Sequence, residues 1–205
     1  MEPYNRPVFV FSQPKAGTYL LANVLLELGY TGGHDGIMHI SRGKYEVYPY
    51  PGTKGFLRAR ADPSSVRINM HWYESINKVK KAKHFAVSHL PWLLNHTRFF
   101  DFKIILLTRP IDEIKASLDR WDKFSGRQPS NHKKTLYAAS EVARWTDKKR
   151  LMPKKSMFEL EFADMKEMKT ERIDALQKFL GIDPLQDSAR VLIDALRKDS
   201  ITKVS

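Results

Sequence analysis

RPVFVFSQPKAGTYLLANVLLELGY, residues 6–30, passes from a short apolar run through a polar turn into a helical pattern. The run VFVF (8–11) is too short for a helix and continuous in apolar side chains, as in a strand buried on both faces. Beyond the turn, Leu20, Leu21, Val24, Leu25 and Leu28 recur on one face and predict a helix over 17–28, with Gly29 placed to end it. A strand entering a turn that holds a lysine, a glycine and two hydroxyl side chains, and then a helix, is the element from which the rest of the reading extends.

The same strand signature returns at HFAVS (84–88), KIILLT (103–108) and MFELEF (157–162). Helical patterns separate these runs or follow them, at 73–82, 110–121, 133–145, 168–181 and 186–198. Apolar strands alternating with helices predict an α/β fold with a central parallel sheet of about four to five strands flanked by helices. A chain of 205 residues encloses one substantial core, so residues 1–205 are read as a single domain. The stretch from 30 to 70 is rich in Gly, Pro and polar residues and is expected to be a long loop or lid.

Thirty-five Lys and Arg against 23 Asp and Glu give a formal charge of +12, which favours anionic ligands without choosing among them. There is no cysteine, which excludes a disulfide framework and a thiolate metal site. The opening residues MEPYNRPVFVF carry an early glutamate and too short an apolar run for a signal peptide or a membrane span. The expectation is a soluble, cytoplasmic protein.

The turn PKAGTY (14–19) has the chemistry of an anion cradle: backbone N–H groups at a helix start, Gly17 for close approach, Lys15 for charge, Thr18 and Tyr19 for hydroxyl donors. It is not a Walker A loop, because Lys15 precedes Gly17 and no earlier glycine stands in the segment. Alone, so short a match fits a solvated lysine and an ordinary helix cap better. The second segment is KIILLTRPIDEIKASLDRW (103–121). Arg109 stands at the carboxyl end of an apolar strand, where open α/β sheets bind ligands, and Ser117 follows about two helical turns later. A guanidinium fork and a hydroxyl together suit a phosphate.

These two segments, QPKAGTY and LLTRPIDEIKAS, resemble the nucleotide-binding segments of sulfotransferases that use 3′-phosphoadenosine 5′-phosphosulfate. In that family a PKSGTTW-like turn grips the 5′-phosphosulfate, and an arginine with a serine after seven intervening residues holds the 3′-phosphate. Arg109 and Ser117 match that spacing. VSHLPWLL (87–94) resembles the KTHLP segment of the cytosolic branch, and FADMKEMKTERIDALQKFLG (162–181) resembles its YEDMKEDP…FLG segment, all four in family order. The resemblance runs from residue 8 to 181 and implies a P-loop-like sulfotransferase fold.

It further implies catalytic roles for Lys15 and for His89 as general base, and nucleotide contacts at Lys15, Ala16, Gly17, Thr18, Tyr19, Leu20, Arg109 and Ser117. The donor would be the phosphosulfate nucleotide, with no metal and no nucleic acid as partner. The acceptor would be a small molecule or glycan, anionic if Lys44, Lys54, Arg58, Arg60 and Arg67 attract it. Asp35, Glu46 and Glu74 compete with His89 as bases. Departures stand beside the matches. Leu20 replaces a tryptophan, Phe162 a tyrosine and Val87 a lysine, and the carboxyl-terminal RKGxxGDW is missing from LRKDSITKVS (196–205). A nucleotide kinase of related fold and a non-catalytic basic protein that binds polyanions remain the alternatives.

Overall fold

Strands form at all four apolar runs expected to carry them, and the computed structural model shows how they meet. It describes residues 6–13, 15–31, 36–41, 44–49, 67–68, 84–88, 102–124 and 157–204. In chain order these form β1 (Val8–Ser12), α1 (Thr18–Glu27), β2 (Gly36–Ser41), β3 (Lys44–Pro49), β4 (Arg67–Ile68), β5 (Phe85–Ser88) and β6 (Lys103–Thr108). They continue with α2 (Ile111–Phe124), β7 (Met157–Glu161), α3 (Phe162–Lys166), α4 (Thr170–Leu180) and α5 (Ser188–Val204). The helical patterns at 73–82 and 133–145 lie outside the described residues.

The sheet runs β4-β3-β2-β5-β1-β6-β7. Its parallel part is β2, β5, β1, β6 and β7, in keeping with the expected core, and β3 and β4 extend it antiparallel. β2, β3 and β4 fall inside the stretch 30–70 that was expected to be a long loop or lid. β2 and β3 pair antiparallel, with Ser41 opposite Lys44.

β1 lies at the centre, between β5 and β6, and every one of its residues is buried. Its alternation divides the core. Val8 and Val10, with Phe85, Val87, Ile105 and Leu107, share one cluster with α1, α4 and α5. Phe9 and Phe11 point to the other face, with ring centroids 4.7 Å apart and Phe102 edge-on to Phe9. Burying each phenylalanine side chain fully is worth roughly 2–3 kcal/mol, and both faces need it. α1 ends where Gly29 turns left-handed at φ 84, and Tyr30 N–H closes the last turn on Leu25 O at 2.9 Å. α5 packs along α1, with Asn23 Nδ2 donating to Ala195 O at 3.2 Å and Lys198 paired to Glu27. Among the described residues no helix is long and apolar enough to cross a membrane.

Two contacts fix the start of α3, one of them against the β1–α1 turn. Asp164, the third residue of α3, accepts a hydrogen bond from Glu161 N–H at 3.0 Å, the backward half of a capping box. Arg172 Nε (3.2 Å) and Lys169 Nζ (3.4 Å) reach the same carboxylate. Burial raises the Asp164 pKa, but the Glu161 amide and the two cations outweigh it, and the net shift is downward. The second contact is between Phe162 and Gly17. Gly17 sits at φ 99, and a Cβ there would lie 2.1 Å from Phe162 Cδ2.

Because the folded-state pKa of Asp164 is depressed, its contribution is present in full above the unfolded carboxylate value and is lost as pH falls through the folded one. Asp164→Asn should therefore lower stability by about 1–3 kcal/mol at neutral pH, with the difference from wild type shrinking below about pH 4. Urea melts across pH check this, and a difference independent of pH would contradict it. Gly17→Ala should destabilise by about 2 kcal/mol or more. In a Phe162→Ala background the penalty should fall but not vanish, because the left-handed backbone remains. Equal penalties in the two backgrounds would show that the ring does not set the constraint.

Candidate nucleotide-binding site

Parallel strands deliver their carboxyl ends to one edge of a sheet, and this edge gathers the residues singled out in the sequence. β1 runs out into Lys15, Ala16 and Gly17; β6 runs into Arg109; β7 runs into Phe162. β1 reverses the order of the sheet: the chain first builds on its β5 side and then crosses to β6, the arrangement that opens a ligand crevice at the carboxyl edge. β5 ends at Ser88, whose Cα partner is Phe11 of β1, so β5 finishes at the same edge. His89 is the next residue in the chain and lies outside the described residues, as do Asp35 and Glu74.

The first turn is tightly specified. Lys15 takes up a left-handed φ of 66 and Gly17 one of 99. A lysine in that conformation is strained by about 1–2 kcal/mol, which the surroundings must offset. The peptide unit joining Lys15 to Ala16 is held at both ends. Its carbonyl accepts from Arg109 Nη1 at 3.1 Å, and its N–H donates to Gln13 O at 3.1 Å. Ser12 and Thr18 hydroxyls meet at 3.0 Å across the turn.

α1 then begins without a side-chain cap at Gly17. The N–H groups of Thr18, Tyr19 and Leu20, in its first turn, have no carbonyl within the helix to bond. They share the positive end of the helix dipole.

These positions differ in what they offer an anion. The Ala16 side chain is fully buried in the core, and its N–H donates to Gln13 O. The Leu20 side chain is buried in the same core, which leaves only its backbone N–H for binding. Lys15, Gly17, Thr18 and Tyr19 are all partly exposed.

Arg109 joins the second segment to the first across 94 positions of sequence. Its Nε donates to Glu113 at 2.9 Å, one turn along α2, and its guanidinium lies 4.0 Å from the centroid of the Phe162 ring. The side chain is only 11% exposed while that of Glu113 is 48% exposed. The ion pair with Glu113 is therefore screened and worth about 1 kcal/mol or less, and the stacked ring and the Lys15 carbonyl do more to fix the fork. Ser117 stands eight residues after Arg109 on α2 and is partly exposed.

Two partners in this arrangement were not singled out as site residues from sequence. Glu113 was legible, four residues from Arg109 on a helix. The Phe162 approach to Gly17 joins two strand ends far apart in sequence and left no local signal.

No family model matches the chain, and no curated protein matches it in sequence. Solved structures do match in fold. A mouse sulfotransferase, SULT7A1, complexed with PAP superposes with a TM-score of 0.56 at 18% identity, covering 92% of this chain and 63% of that one. Retinol dehydratase in complex with androsterone and inactive cofactor PAP gives 0.56 at 14% identity, covering 98% and 64%. A sulfotransferase from Alicyclobacillus acidocaldarius gives 0.50 at 15% identity, covering 97% and 96%. The chain thus spans less than two thirds of the length of the first two. What these likenesses share with the geometry is the architecture: this is an α/β chain with the sulfotransferase fold.

Proposed function

We propose that the chain transfers a sulfuryl group from 3′-phosphoadenosine 5′-phosphosulfate to a hydroxyl or amine acceptor. The observation that carries this reading is the bond from Arg109 Nη1 to Lys15 O, because it brings side by side the two segments that the sequence marks as candidates for binding anions. A nucleotide with charge at both its 3′ and 5′ positions has the matching shape. The neighbours of this fold solved in complex with PAP support the same donor.

In this reading the first-turn N–H groups of α1 and the Lys15 ammonium receive the 5′-phosphosulfate. Arg109, with donors on Nη2 that no described residue engages, and the Ser117 hydroxyl receive the 3′-phosphate. The acceptor oxygen attacks sulfur in line, the bond from sulfur to the bridging oxygen of the 5′-phosphate breaks, and the bisphosphate nucleotide leaves. Lys15 stabilises the charge that grows on that bridging oxygen. His89, one residue beyond β5, takes the acceptor proton.

The adenine contact is assigned to no described side chain, since Leu20 is packed in the core. A small hydroxylated acceptor is favoured by the neighbour that was crystallised with androsterone.

Calorimetry with 3′,5′-adenosine bisphosphate, 5′-AMP and ATP tests the donor. The bisphosphate should bind at least about tenfold more tightly than either competitor, as a charge-assisted fork on a second phosphate allows. Lys15→Ala should fold normally and slow transfer from labelled donor about a hundredfold or more. Preference for ATP would favour a kinase instead, and a fully active Lys15→Ala would remove the lysine from the chemistry.

A further inference from the structure

Arg109 is placed to do more than hold a phosphate. Its Nη1 contact falls on the carbonyl of the one peptide unit that sets the left-handed Lys15, and the other end of that unit is already fixed by Gln13 O. A peptide plane pinned at both its oxygen and its nitrogen cannot rotate, so the N–H groups that follow at residues 17–20 keep one direction. With Arg109 withdrawn, this peptide unit loses one of the two bonds that pin it, and the strained φ of Lys15 is held less firmly.

The guanidinium is itself held from two further sides, by Glu113 at Nε and by the Phe162 ring across its face. The same ring closes over Gly17, so it lies against both Arg109 and the turn that Arg109 holds. Nη2 is left without a partner among the described residues, and an anion there would add a fourth restraint to the same group.

We infer that Arg109 is a positioning residue for the first turn as well as a ligand of the second, so that a 3′-phosphate on its Nη2 strengthens binding at the 5′ end through the Lys15 carbonyl. This deepens, and rests on, the nucleotide reading above. The coupling is reciprocal: the 5′ group, by ordering residues 15–20, also favours the Arg109 geometry that receives the 3′-phosphate. A 5′ nucleotide lacking the second phosphate loses one contact and also meets a less restrained cradle.

The test separates the coupling from the nucleotide assignment. Amide hydrogen exchange on the free protein, wild type against Arg109→Ala and Arg109→Lys, needs no ligand. Both variants should accelerate exchange at Ala16 by about tenfold or more relative to an unaffected strand amide such as that of Ile105. Arg109→Lys is the informative arm, because it keeps the charge and loses the fork.

Binding of 5′-AMP, which has no phosphate for Arg109, should weaken about fivefold or more in both variants. Rescue by lysine would assign the effect to charge alone and overturn the clamp. Unchanged Ala16 exchange, or unchanged 5′-AMP affinity, would overturn it as well. If the wild-type protein binds neither 5′-AMP nor the bisphosphate, it is the nucleotide reading that falls, and the exchange result alone decides the clamp. Should Arg109→Ala fail to fold, Arg109→Gln removes the charge with less loss of volume and is read in the same way.

Discussion

The peptide unit between Lys15 and Ala16 is the point on which the site turns. Its carbonyl is held by Arg109 from the end of β6, its N–H by Gln13 from the end of β1, and the residue before it is left-handed. None of these restraints is strong alone. A neutral hydrogen bond contributes about 1 kcal/mol net, similar to the strain of a non-glycine residue at positive φ. Together they select one conformation of a turn in which Gly17 lies so close to the Phe162 ring that a Cβ would not fit.

The sheet makes that convergence possible. Five parallel strands send their carboxyl ends to one edge, and the central strand has neighbours reached from opposite directions along the chain. Residues 15–17, 109 and 162 thus become neighbours although long stretches of chain separate them. The capping interaction of Asp164 with Glu161 sets how α3 leaves β7, and with it where the Phe162 ring lies over Gly17 and Arg109. A carboxylate with no direct part in binding an anion therefore shapes the wall of the site. The net charge of +12 favours anions in general, and in the proposed reading the fixed donors at this edge would supply the discrimination.

Much of this was legible beforehand for a physical reason. Strands buried on both faces must be almost wholly apolar, so VFVF and KIILLT announced themselves, and the i, i+3, i+4 spacing of the leucines fixed α1 to within a residue at each end. Gly17 and Lys15 were singled out because a strand-to-helix turn has few ways to present N–H groups to an anion. What stayed hidden was non-local or mixed in pattern. β2 and β3 carry His39, Glu46 and other polar residues in short runs amid glycine and proline, so their period-two signal was weak and the region read as a loop. Phe162 looked only like a substituted position, because its contact with Gly17 depends on which strands lie side by side. Leu20 was read as a ligand contact from its place in a motif; its place on the apolar face of α1 puts the side chain in the core and leaves its backbone N–H at the helix start.

The most direct measurement is phosphorus NMR of 3′,5′-adenosine bisphosphate titrated with the protein, since the two phosphorus nuclei report separately on the two ends of the ligand. The account predicts that both resonances shift on binding to the wild-type chain. With Arg109→Lys, the 3′ resonance should return toward its free position and the 5′ shift should shrink with it. A ligand that shifts at one phosphorus only, or two ends that respond to the substitution independently, would contradict the claim that one guanidinium joins both turns around a single nucleotide.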